Sequence, residues 1–233
     1  MSADLAARLR QRADRSRVPG LQRFFKTGPG EYAEGDVFIG VTVPDLRRVC
    51  RECRGATIPD ILVLLGSAVH EERLLALLLL VEIFRRGTDQ TKREIYRLYL
   101  ANTKYINNWD LVDSSAPHIV GAWLFTRSRA PLRRLARSSS VWERRIAIIA
   151  TQFFIRRGDL EETFRIADLL LTDRHDLVHK AVGWMLREAG NRDPKAERAY
   201  LEGRYARMPR TMLRYAIEKF PEAARRRYLS GTI

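Results

Sequence analysis

Three stretches of the chain hold residue types that could do chemistry on a sugar or a phosphate. The first is Ile106–Phe125, INNWDLVDSSAPHIVGAWLF. Wound as a helix, it places Trp109, Asp113, Ala116 and Val120 on one face with Ile106 and Trp123. A carboxylate one turn from a tryptophan, on an otherwise apolar face, suits stabilisation of a developing positive charge in a dry setting. Pro117 follows Asp113 by four residues and cannot bond to its carbonyl, which predicts a kink there. The same pattern also suits Asp113 as an N-cap that restarts the helix with Ser114 and Ser115.

The second stretch is Asp176–Gly190, DLVHKAVGWMLREAG. Its apolar face is Val178, Ala181, Val182, Met185 and Leu186, and Lys180, Trp184 and Arg187 lie opposite with Leu177. A tryptophan between two cations could stack on a sugar or a base, or pack on a neighbouring element. The third is Val141–Gly158, read as one helix. Trp142, Ile146, Ile149 and Phe153 form its apolar stripe, beside a polar stripe of Arg145, Gln152 and Arg156 fit to grip phosphates. Cys50 and Cys53 form a lone CxxC without two further zinc ligands at suitable spacing. His175 and His179 are one turn apart without an HExxH, and there is no P-loop or GxGxxG. The expectation is chemistry with no metal and no cofactor.

These side chains must be positioned by helices. From residue 43 onward apolar residues recur at three- and four-residue spacing. Long helices are expected to begin near Val69, Ile106, Val141, His175 and Pro209, spaced by 37, 35, 34 and 34 residues, each preceded by a shorter one. Basic residues recur at matching points in Arg73, Arg145, Lys180 and Arg214. A period of about 35 residues predicts an all-α superhelix, a solenoid of HEAT-like helix pairs, forming a single domain over 1–233. The exception is Lys26–Val43, KTGPGEYAEGDVFIGVTV, with four of the fourteen glycines. It reads as a loop with a short hairpin around Val37–Val43, a long non-helical segment of the kind that is often functional.

Composition narrows the function class. The 233 residues are 45% apolar, which excludes global disorder. The longest apolar run, Leu74–Val81, is too short to span a membrane. The charged N-terminus has no signal-peptide core, and two cysteines exclude a disulfide scaffold, so a cytoplasmic protein is expected. The net charge is +14 and the pI about 10.4, carried by 36 Arg and 6 Lys. A protein this basic is expected to meet a polyanion, nucleic acid by default.

The assembled residues resemble the AlkD-like DNA alkylation repair proteins, HEAT-like-repeat DNA glycosylases. Four segments carry the match in order: RFFK…FIGVTVPDLRR (23–48), NNWDLVDSSAP (107–117), WERRIAI (142–148) and HKAVGWMLRE (179–188). The resemblance implies a curved solenoid whose concave basic face cradles duplex DNA, and excision of purines alkylated at N3 or N7. It implies that Asp113 is the catalytic carboxylate, that Trp109 and Trp184 pack near the lesion's sugar, and that Arg145 holds backbone. Phe24 matches an aromatic that faces DNA. Arg156, Lys180, Arg187 and Arg214 are the further DNA-contact candidates, and the protein is expected to act as a monomer. Two features depart from the pattern: a long Gly-rich loop at 27–40, and Leu177 where an aromatic is expected. They point to the alternative, a non-catalytic HEAT-repeat protein that binds branched or distorted DNA.

Overall fold

The computed structural model describes residues 2–233, and every named element within them is helical. The all-α class expected from the periodicity is therefore what the chain adopts. Two compact units divide it, Met1–Ser115 and Ala116–Ile233. No helix of the described residues is long and apolar enough to cross a membrane.

The first unit holds α1 (Ser2–Arg10), α2 (Val18–Phe25), α3 (Val43–Glu52), α4 (Ile58–Leu65), α5 (His70–Arg86), α6 (Asp89–Ala101) and most of α7 (Trp109–Ala116). Local chemistry starts several of them. In T-V-P-D and T-I-P-D, Thr42 and Thr57 accept the N–H of Asp45 and Asp60, and Pro44 and Pro59 sit in the first turn. Each threonine hydroxyl also donates to that aspartate at 2.6 Å. α3, α4 and α6 pack around α5, whose Leu74–Val81 run is buried almost without a break.

The first turn of α5 is charged yet buried: His70, Glu71, Glu72 and Arg73 are all under 5% exposed. Each has partners. Glu71 accepts the backbone N–H groups of Ile39, Gly40 and Val41 at 2.8–3.3 Å. Glu72 takes Arg10 and the Ser67 hydroxyl. Arg73 donates to Asp36 at 2.5 Å and to the carbonyls of Ser67 and Ala68. His70 bridges Asp36 (Nδ1, 3.1 Å) and Asp110 (Nε2, 2.8 Å).

These bonds decide the 26–43 segment. No hairpin forms: Val37 makes one isolated parallel bridge to Val69, and Ile39 accepts the Asp14 N–H. The expectation of a hairpin failed because the segment's N–H groups are taken by a carboxylate instead of a second strand. Its second half is pinned on α5, and exposure is concentrated at residues 28–35. Gly40 sits at φ +83°, with the Asp14 carbonyl where a Cβ would stand, so only glycine fits.

The second unit opens with a π-helical turn, Pro117–Gly121, and α8 (Ala122–Leu124). In it the Ala122 N–H reaches back five residues to the Pro117 carbonyl. There follow α9 (Ala130–Leu135), α10 (Val141–Ile149), α11 (Gln152–Ile155), α12 (Glu161–Leu169), α13 (Asp176–Arg192), α14 (Pro194–Glu202), α15 (Arg210–Ala216) and α16 (Glu222–Ser230). The helix expected over Val141–Gly158 is thus two helices, interrupted at Ala150–Thr151. The helix starts expected near Val69, Val141, His175 and Pro209 hold within a residue. α13 packs on α10, α12, α14 and α15. Its backbone passes so close to α15 that a Cβ on Gly183 would lie 2.4 Å from the Met212 carbonyl oxygen.

Arginine also ends helices in this unit. Arg127, Arg157 and Arg204 each donate to the carbonyl four residues back and stack on that residue's ring: Trp123, Phe153 and Tyr200.

Two stability outcomes follow from this packing. Burial alone pulls the His70 pKa down, but the bonds to Asp110 and Asp36 outweigh it and bring it up to about 9. A raised folded-state pKa means the stabilisation is complete below the unfolded value of about 6.5 and is lost as pH rises through about 9. Urea unfolding at pH 6 to 10 is expected to show a loss on the order of 3 kcal/mol, absent in His70→Gln. An unchanged midpoint between pH 6.5 and 9.5 would exclude a charged His70. Separately, Gly183→Ala forces α13 and α15 apart against a backbone carbonyl, which cannot rotate away. It is expected to cost about 1–3 kcal/mol and several degrees of Tm in differential scanning calorimetry, and a wild-type Tm would refute that contact.

Candidate active site

α7 begins with Asn108, which is wholly buried. Its Oδ1 accepts the Trp109 N–H at 2.8 Å, and its backbone carbonyl accepts Val112 N–H. Asn108 is therefore the residue that opens the helix, and Asp113 stands one turn inside it, not at its cap. Asp110, next in line, accepts Leu111 N–H with Oδ1 and holds His70 with Oδ2.

Trp109 is half-buried and belongs to an aromatic group. It stacks on Phe25 (5.3 Å, 16°) and meets Phe24 edge-on (5.7 Å, 75°). Phe25 stacks in turn on Phe38, and Phe38 on the His70 ring at 4.6 Å. Phe24 is 62% exposed, so the group reaches the surface. It presents aromatic rings, which suit a sugar edge or a cationic base. Asp113 is half-buried on the same helix. Buried Tyr99 bonds Ser115 at 2.9 Å, and Ser115 donates to the Leu111 carbonyl, which ties α6 to α7. The Tyr99 phenol is held above its ordinary range by burial first and by the Asp113 charge, against the Ser115 bond.

Asp36 receives Arg73, His70 and, at 3.1 Å, the Asn108 amide. Burial pushes its carboxyl upward, yet these partners hold it below the usual carboxylate range. The sequence reading passed over Asp36, Phe38, His70, Asn108 and Asp110. One signal was available: VHEER precedes LLALLLL, a run apolar on all sides. The charges that open such a helix must be buried with it, and therefore paired.

In the second unit, Trp184 is half-buried and its indole N–H donates to Glu188 at 3.0 Å. Arg187 pairs with Glu218 and Glu188, and Lys180 with Asp176 at 2.7 Å. Arg145 is 5% exposed, below the surface where the expected stripe would need it, and its Nη1 donates to the Leu177 carbonyl at 2.5 Å. Leu177 is itself buried at 8% exposure, not on the outward face with Lys180. Arg156 and Arg214 are exposed. Cys50 and Cys53 are buried thiols, with Cys50 pushed up to about 11, chiefly by burial. Among the described residues no group of three or more His, Cys, Asp or Glu could hold a metal ion.

The model of a family described as DNA alkylation repair enzyme matches residues 5–220. No curated protein matches the chain. Among solved structures, it is similar to one described as "Predicted DNA alkylation repair enzyme from Enterococcus faecalis", with 13% identity and a TM-score of 0.69 over 91% of this chain and 98% of that one. It is also similar to AlkD2 from Streptococcus mutans, with 16% identity and a TM-score of 0.56 over 89% of this chain and 98% of that one. At such identity the two structures speak for the fold, and the family match, which spans nearly the whole chain, speaks for descent. The chain belongs to the DNA alkylation repair enzyme family.

Proposed function

We propose that the protein is a DNA glycosylase that hydrolyses the N-glycosidic bond of purines alkylated at N3 or N7 in duplex DNA. The observation that carries the reading is the placement of Asp113 on α7 four residues after Trp109, whose aromatic group reaches the surface at Phe24. Alkylation at N3 or N7 gives the purine a positive charge. When the C1′–N bond breaks, its electron pair moves to the base and neutralises it. The positive charge passes to the sugar as an oxocarbenium-like centre. Asp113 stabilises that centre and orients a water, whose oxygen adds to C1′ while its proton passes to solvent. Rings of Trp109 favour the cationic substrate, and Trp184 is assigned the same task on resemblance.

DNA is held by charge. Arg156 and Arg214 are exposed and suited to phosphates directly. Lys180 and Arg187 must exchange Asp176 and Glu218 for phosphate. Arg145 is assigned a part through the segment whose Leu177 carbonyl it holds, and Phe24 an aromatic contact. No metal or cofactor enters the scheme.

Asp113→Asn keeps the side chain's shape and removes its charge. Excision of alkylpurines, followed by chromatography of released bases, is expected to slow by roughly 10²–10³, about 3–4 kcal/mol. Duplex affinity is expected to stay within about twofold, since a carboxylate near phosphates does not aid ground-state binding. Release at the wild-type rate would refute the assignment. A wild type that releases no base but binds four-way junctions tightly would instead establish the non-catalytic reading.

Duplex affinity is also expected to fall with salt, with a log–log slope of about −0.9 per phosphate neutralised. Arg156→Ala and Arg214→Ala should each reduce that slope by about one, uniformly across sequences. A flat salt response in fluorescence anisotropy would remove the nucleic-acid reading altogether.

A further inference from the structure

Three segments remote in sequence meet in one buried cluster of the first unit. Asp36 comes from the Gly-rich loop, His70 and Arg73 from the start of α5, and Asn108 and Asp110 from the start of α7. With His70 protonated, two cations face two carboxylates, so the cluster carries no net charge. His70 is 1% exposed and covered by Phe25 and Phe38.

The cluster grips α7 at consecutive points. His70 holds the Asp110 carboxylate, and Asp36 holds the Asn108 amide whose oxygen takes the Trp109 N–H. The same imidazole closes the ring stack that ends on Trp109. A first turn held at its cap and at its second residue cannot roll about its axis. Rolling is the motion that would swing Asp113, one turn further on, away from its direction. Apolar side chains of similar volume would pack this space at least as stably as ions, so the fixed directions of the bonds are what an ionic cluster adds.

We propose that Asp36, His70, Asn108 and Asp110 are positioning residues for the excision reaction, setting the direction of Trp109 and, through the first turn of α7, of the Asp113 carboxylate. The proposal rests on the glycosylase reading. None of the four touches substrate. The Gly-rich loop then serves the site through Asp36, as a fixed part of its frame.

The decisive variant is His70→Gln with Asp110→Asn. It removes one positive and one negative charge and leaves the Asp36–Arg73 pair in place. Single-turnover excision is expected to fall at least about tenfold, as misplacement of reacting groups by an ångström does. Half-saturation by substrate and duplex affinity should stay within about twofold, and the Trp109 indole N–H resonance, assigned with Trp109→Phe, should shift. Asn108→Ser retains an N-cap oxygen but drops the link to Asp36; it should show the same pattern, smaller, and decides the matter if the double variant does not fold. A folded variant with the wild-type excision rate overturns the proposal. If the wild type itself excises nothing, the glycosylase reading fails, and the indole resonance still reads the positioning directly: an unmoved signal overturns that claim too.

Discussion

The first unit depends on a burial problem at the start of α5. Four consecutive charged or titratable residues open a helix whose next turns are apolar all round, so they enter the interior with it. Left unpaired, each would cost several kcal/mol. The structure answers by bringing partners from four places: Arg10 from α1, Asp36 and the N–H groups of residues 39–41 from the loop, the Ser67 turn, and Asp110 from α7. Much of the first unit's architecture follows from where those partners must stand.

The loop illustrates the consequence. Its composition is that of a flexible connector, and its tip at 28–35 is largely exposed. Its second half is nonetheless held by one carboxylate that accepts three successive N–H groups. A glutamate at the second position of a helix does this well, since the N-terminal dipole favours its charge there. Gly40 allows the close pass beneath Asp14 that the arrangement requires.

The arginine excess has two destinations. Arg127, Arg157 and Arg204 end helices by bonding and stacking on residues of their own last turn, and Arg133 and Arg144 pair with Glu162 and Asp173. These guanidinium groups serve the fold. Arg156 and Arg214 stand exposed. High net charge therefore points to a polyanion, but it does not say which cations meet it. That distinction matters most for Arg145, whose place in a regular spacing suggested an outward group and whose actual position is interior.

Helix content and the starts of most helices were legible in the chain, because they arise from a local rule, the three-and-four spacing of apolar residues. That Asp113 stands one turn after Trp109 on a helix was legible for the same reason. What local rules do not contain is the partner of a buried charge. The bonds from His70 to Asp36 and Asp110 join residues 34 and 40 positions apart, and no periodicity encodes them. The choice between Asp113 as cap and Asp113 as interior carboxylate was open for that reason. It was settled by Asn108, which Asp36 holds from 72 residues away. The break between α10 and α11 and the burial of Leu177 are of the same kind, visible only once neighbouring helices occupy the space that spacing alone leaves empty.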